Sequence, residues 1–189
     1  MAKGNLGGDK KKAKKERRII VFADESGLSE RPHRVRTWGP IGQTPVLRHH
    51  FTWKNASIIA GITERSFYFK ICAGAVRGPF VIEFIKHLRR HLRRKLLIVL
   101  DGAPIHRSRQ VLSYVASLRG AVTLCRLPAY APELNPAEGI FGYLKERRLG
   151  NLCPDSIQQV RQAAAQHLGA MRRRPRLIRA FWKLAKLYQ

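Results

Sequence analysis

Leu96-Leu97-Ile98-Val99-Leu100-Asp101 is the stretch whose reading decides the fold. Five apolar residues run without interruption and stop on an acid. A strand with one face in water alternates apolar and polar positions, whereas an unbroken run suits a strand buried on both faces, as in a sheet covered by helices. Working outward, residues 80–92 place Phe80, Phe84, Ile85, Leu88 and Leu92 at helical spacing, with Arg and Lys between them. Residues 107–118 read as another helix and 121–127 as another buried strand. Strand, helix, strand is the signature of parallel βαβ units.

The amino-terminal half reads differently. Ile19-Ile20-Val21-Phe22-Ala23-Asp24 is β-rich and also ends on an acid, so it is expected to be the first strand. Residues 25–44, punctuated by Gly27, Pro32, Gly39, Pro40 and Gly42, read as a long loop. Residues 57–62 and 66–72 form two apolar runs parted by Thr63, Glu64 and Arg65, the pattern of a hairpin. The expected fold is therefore α/β: an antiparallel meander followed by parallel strands, flanked by helices. A loop with three prolines spans 128–136, and a helix is expected over 136–149. Two more helices, over 156–171 and 175–187, are expected to pack on the same domain. The expected division is a disordered basic arm over 1–18, a catalytic domain over 19–150 and carboxyl-terminal helices over 151–189.

With 189 residues the chain suits one domain. Its 37 Lys and Arg against 12 Asp and Glu give a net charge of +25. Such a surface attracts a polyanion, because neutralising phosphates releases condensed counterions. No apolar run is long enough for a membrane span, and no export signal follows the basic start. A cytoplasmic, nucleoid-associated protein with no membrane partner is expected. Cys72, Cys125 and Cys153 are odd in number and widely spaced, which supports neither a disulfide framework nor a zinc ribbon.

In so basic a chain the few acids are informative. Asp24 and Asp101 each end an apolar strand, where an α/β sheet exposes its functional groups, and Glu138 lies in the first turn of a helix. Carboxylates brought together repel, and a divalent cation relieves that repulsion. Each residue also has a simpler reading. Either aspartate alone would serve as a turn cap. Asn135-Pro136-Ala137-Glu138 fits a capping box in which Glu138 reaches back to the Asn135 amide. Glu25 adjoins Asp24 but points to the opposite strand face, which favours a supporting role. His106 suits either a phosphate or water contact or a plain loop hydrogen bond. Glu83, His87 and His91, four apart on a helix, have zinc-like spacing, but the arginines among them favour a solvated basic face. Trp38, Trp53 and Trp182 suit core packing better than base stacking.

Three blocks in order carry a family resemblance. Phe22-Ala23-Asp24-Glu25-Ser26 is followed by Arg36-Thr37-Trp38-Gly39-Pro40. Next comes Ile98-Val99-Leu100-Asp101-Gly102-Ala103-Pro104-Ile105-His106, and then Leu127-Pro128-Ala129-Tyr130-Ala131-Pro132-Glu133-Leu134-Asn135-Pro136-Ala137-Glu138. Together they resemble the insertion-sequence branch of the mariner-like transposases, including the 36 residues between Asp101 and Glu138. The resemblance implies an RNase H-like fold and a metal-binding triad of Asp24, Asp101 and Glu138. It implies Mg2+, with Mn2+ able to substitute, and cleavage of transposon ends followed by joining of the 3′ hydroxyl to target DNA. Glu25, His106 and Asn135 are candidates for supporting or phosphate contacts. The implied partners are double-stranded DNA, as transposon ends and target, and a second copy of the chain. No helix-turn-helix pattern precedes residue 19, so a separate helix-turn-helix DNA-binding chain is a further expected partner. Phe141 stands where the family often has tryptophan. A resolvase-like nuclease and a noncatalytic DNA-binding protein are the alternatives.

Overall fold

The computed structural model describes residues 6–49, 53–128 and 132–185. Residues 1–5 of the basic arm, 129–131 of the proline loop (with Tyr130) and 186–189 (with Tyr188), where the last helix is expected to run to 187, lie outside the described residues.

A five-stranded mixed sheet forms the centre, in the order β3-β2-β1-β4-β5. β1 (Ile19–Ser29), β2 (Asn55–Ile62) and β3 (Phe67–Ala73) make an antiparallel meander. β4 (Leu96–Leu100) pairs parallel with β1, and β5 (Val122–Arg126) parallel with β4. All five residues of β4 are buried, which is why no alternation shows in their sequence. This is the mixed, helix-covered sheet expected of an RNase H-like fold.

Each face of the sheet has its own core. On one, Val21, Ala23, Ile98 and Leu100 pack under α2 (Gly78–Leu92) and α3 (Arg109–Ser117) through Phe84, Leu88 and Val111. On the other, Phe22, Leu97 and Val99 pack with α4 (Ala137–Tyr143), α5 (Ile157–Arg172) and α6 (Pro175–Leu184). Trp182 of α6 meets Phe22 edge to face at 5.4 Å, and its indole N–H donates to the Thr63 carbonyl at 2.8 Å. Of the three tryptophans, Trp182 alone is a core residue; Trp38 and Trp53 are exposed.

Three local readings change. Residues 6–15, expected to be part of a disordered arm, form a helix, α1 (Leu6–Lys15), which packs against β1 and β5. Ala13 is the reason: its small side chain is buried in the core while the surrounding lysines stay in water. β1 does not stop at Asp24 but runs on to Ser29, because β2 continues to pair with it from Asp24↔Ala60 to Ser29↔Asn55. The helix expected over 136–149 ends in a π-helical turn, Leu144–Arg148.

The connection over residues 30–54 is tied down near its start. His33 bridges to Gly150, and the Asn151 side chain accepts from the Val35 amide and donates to the Val35 carbonyl, each at 3.0 Å.

Candidate active site

The strand pairing brings the acids together. β1 pairs with β4 only from Ile19↔Leu96 to Phe22↔Val99. Two residues later on each strand come Asp24 and Asp101, at the carboxyl edge of the parallel pair. Side-chain alternation along β1 then divides the neighbours. Asp24 lies on the α4 side with Phe22, and Glu25 on the α2 side with Val21 and Ala23.

Asp24 is held from two directions. The Glu25 amide donates to its Oδ1 at 2.8 Å, and Asn135 Nδ2 donates to its Oδ2 at 3.1 Å. Asn135 is itself fixed, because its Oδ1 accepts the Ala137 amide at 3.1 Å and so caps α4. Burial pushes the Asp24 carboxyl up to about 7, and the charges of Glu138, Glu25 and Asp101 push the same way, against the Glu25 amide bond. Both of the other expected acids, together with Glu25, therefore lie close enough to act on Asp24. Glu138 is exposed at the start of α4. Among the described residues its carboxylate makes no hydrogen bond to the Asn135 amide, so no capping box forms and Asn135 caps the helix through its own side chain.

On the other side sits His106, in a 3-10 turn, Pro104–Arg107, just after β4. Its ring is buried, and Nε2 lies 3.1 Å from Asp101 Oδ1 and 3.2 Å from Glu25 Oε2. Neither contact has the alignment of a good hydrogen bond, so the attraction is between charges. Burial opposes a charged ring, but Asp101 and Glu25 outweigh it and raise His106 to about 9. His106 in turn holds Asp101 below the usual carboxylate range, with help from the Ala103 amide, 3.0 Å from Oδ1, and from the Arg126 charge. Ligand atoms of Glu25, Asp101 and His106 lie within 4.8 Å of one another. His106 and Glu25 thus both sit against the second aspartate.

Gly102 and Arg126 were not singled out from the sequence. A Cβ on Gly102 would fall on Arg126 Nη2, and 2.7 Å from Cζ and Nε. The glycine thus leaves the guanidinium room beside Asp101. A glycine directly after a strand-ending acid, with a basic residue ending the next parallel strand, is the signal that was present. By contrast, the zinc-like spacing on α2 gathers no metal-ligand cluster among the described residues. Glu83 pairs with Lys86 at 2.7 Å, and His91 Nδ1 lies against the His87 carbonyl.

Comparisons with known proteins agree with this fold. No curated protein matches the chain in sequence. Among solved structures, the Mos1 mariner paired-end complex with Mn is similar at a TM-score of 0.67 and 19% identity, over 95% of this chain and 55% of that one. The Mos1 strand transfer complex is similar at 0.66 and 18%, over 95% and 54%. The catalytic domain of Mos1 transposase is similar at 0.64 and 15%, over 95% and 81%. The chain thus spans about half the length of the longer Mos1 chains, whose fold it shares. Residues 19–161 match the family model described as DDE superfamily endonuclease, which takes in both aspartates, Glu138 and every strand of the sheet: the chain belongs to that family.

Proposed function

We propose that this chain is the catalytic domain of a mariner-like transposase, a metal-dependent nuclease and strand transferase with Asp24, Asp101 and Glu138 as its acidic triad. The observation that carries the reading is the convergence of Glu138, Glu25 and Asp101 on the half-buried Asp24, where burial first and then these three charges raise its proton affinity within an otherwise basic protein.

The residues present fit a divalent cation. The donor set is hard oxygen, Glu25 Oε1 is buried without a hydrogen-bond partner among the described residues, and the mutual repulsion is of the kind that a cation relieves. Asp24, Asp101 and Glu138 would hold Mg2+ or Mn2+, the ions named for solved Mos1 complexes. When bound, the metal would supply charge neutralisation at phosphate and activation of the attacking oxygen.

The chain's own residues do the rest. Asn135, itself held by the Ala137 amide at the start of α4, donates one bond to the Asp24 carboxylate, and the Glu25 amide donates the other. His106, charged at neutral pH, holds Asp101 and Glu25 in place. Arg126 brings positive charge beside Asp101. Hydrolysis breaks a P–O3′ bond at a transposon end and leaves a free 3′ hydroxyl. Attack of that hydroxyl on a target phosphodiester forms one P–O bond and breaks another, so strand transfer needs no external energy source. Recognition of particular ends is assigned to helix-turn-helix modules outside the catalytic domain, and pairing of two ends to a second copy of the chain. No helix among the described residues is long and apolar enough to cross a membrane.

Purified protein with Mg2+ or Mn2+ is expected to nick DNA carrying transposon ends. Asp101→Asn should abolish nicking and leave nonspecific duplex binding intact. Undiminished nicking by that variant would refute the assignment, and a wild-type protein that binds no divalent cation, with or without DNA, would leave only a DNA-binding role.

A further inference from the structure

Arginines in the left-handed backbone region are uncommon, since a Cβ is disfavoured there and glycine or asparagine normally takes the place. Here Arg17, Arg93 and Arg119 have φ of 51°, 47° and 48°. Each lies at the end of a helix: Arg17 follows α1, Arg93 caps α2 and Arg119 follows α3. These are positions where helices ordinarily recruit glycine. The fold has therefore taken a disfavoured backbone at three helix ends and placed a long cation at each.

The three ends adjoin. Arg94 Nη2 donates to the Arg17 carbonyl at 2.7 Å, and Arg18 Nη1 donates to the Leu96 and Gly120 carbonyls at 3.2 and 2.9 Å. Because Ile19 pairs with Leu96 and Leu96 with Val122, the starts of β1, β4 and β5 lie side by side. Arg17, Arg93, Arg94, Lys95 and Arg119 are all exposed there. Glu16, the sole acid of residues 11–18, is held by Arg18. This edge is opposite the carboxylates. Five residues of β1 separate Ile19 from Asp24, about 17 Å at roughly 3.3 Å per residue.

We infer that this arginine edge is a second contact surface for duplex DNA, engaging phosphates on the side of the sheet away from the carboxylates. The inference rests on the reading of the protein as a DNA-acting enzyme, and it adds a surface that the cleavage chemistry does not require. A helix end also welcomes a cation through its dipole, but that preference is satisfied by any basic residue in the last turn and does not call for one in a left-handed conformation. Charge complementarity identifies the occupant: neighbouring cations matched, among the described residues, by no free carboxylate suit a phosphate backbone.

The test uses the full chain and a 30-base-pair duplex of arbitrary sequence, with anisotropy read across a salt series. Replacing Arg17, Arg93 and Arg119 together with glycine, and in a second variant with asparagine, keeps residues that accept the left-handed backbone. Both variants should unfold no earlier than wild type, bind the duplex more weakly and lower the steepness of the log-affinity against log-salt line by about 2.7, three phosphates at roughly 0.9 each. A control removes three exposed cations elsewhere, with Lys54, Arg65 and Lys183 changed to alanine. An unchanged salt slope in the arginine variants, or an equal drop in the control, overturns the inference. Loss of binding to phosphatidylserine vesicles without loss of duplex binding overturns it in favour of a lipid surface. Asp101→Asn separates this result from the proposed chemistry, since it should stop nicking with the salt slope untouched.

Discussion

Asn135 and Asp24, 111 positions apart in sequence, are joined by a 3.1 Å hydrogen bond from the Asn135 amide nitrogen to Asp24 Oδ2. The same side chain caps α4 through its oxygen. One residue therefore couples the position of the first acid to the start of the helix that carries the third.

Asn135→Ala removes the cap and the Asp24 bond together. A lost cap typically costs about 1 kcal/mol and a lost buried hydrogen bond about as much. The expected destabilisation is about 1–3 kcal/mol, read from urea unfolding as a lower midpoint at unchanged slope. A variant as stable as wild type would show that the bond carries no weight.

In the absence of metal, the protein should become less stable as pH rises from about 4 to 9. Asp24 is raised from 3.8 to about 7, so the folded state holds its proton more tightly than the unfolded chain, and stability falls as that proton is lost. His106 is raised from 6.5 to about 9, so its contribution is full below 6.5 and is lost as pH climbs through 9. Both act in the same direction. Asp24→Asn should flatten the profile below about 7 and His106→Asn the part above it, and a metal-free midpoint that rises across this window would contradict both.

A divalent cation has to displace the proton on Asp24 to use it as a ligand. Apparent affinity for Mn2+ should therefore rise by up to about tenfold per pH unit below 7 and level off above it. Calorimetry at pH 6 in two buffers of different ionisation enthalpy should detect the released proton. Identical heats in the two buffers would mean that no proton leaves.

Gly102→Ala should displace the Arg126 side chain while leaving the sheet intact, because the atoms it meets are the far end of a flexible residue. Since the Arg126 charge helps to lower the Asp101 carboxyl, that group should titrate higher in the variant, as followed by carbonyl NMR. Nicking should fall alongside it. An unchanged titration would mean that the guanidinium has stayed where it was.

Trp182 links α6 to the sheet through Phe22 and Thr63. Trp182→Ala should cost about 3–5 kcal/mol, the range for truncating a large buried aromatic. If the carboxyl-terminal helices form one unit with the sheet, unfolding should remain a single transition. A separate early transition for the helices would divide the chain.

Much of this was legible beforehand, for physical reasons that differ by element. β4 announced itself because burial on both faces leaves no polar residue to obscure the run, and the hairpin of β2 and β3 because Thr63, Glu64 and Arg65 break two apolar segments. The far half of β1 did not, since Asp24, Glu25, Ser26 and Gly27 carry no apolar pattern and are held in the sheet by backbone pairing with β2 alone. α1 was hidden by its lysines, with a single buried alanine deciding its docking. At the proposed site, the placing of two acids at strand ends and one at a helix start was legible from their positions in the chain. The company they keep was not: that His106 lies between Glu25 and Asp101, and that Arg126 reaches over Gly102, depends on which strand lies beside which.

The ladder between β1 and β4 ends at Phe22 and Val99, two residues short of either aspartate. Past that point the two main chains are free of each other, like the open ends of a zipper. A change in the spacing of Asp24 and Asp101 would break no hydrogen bond between those strands, so the proposed site has room to adjust at its two aspartates while the sheet beneath it stays unchanged.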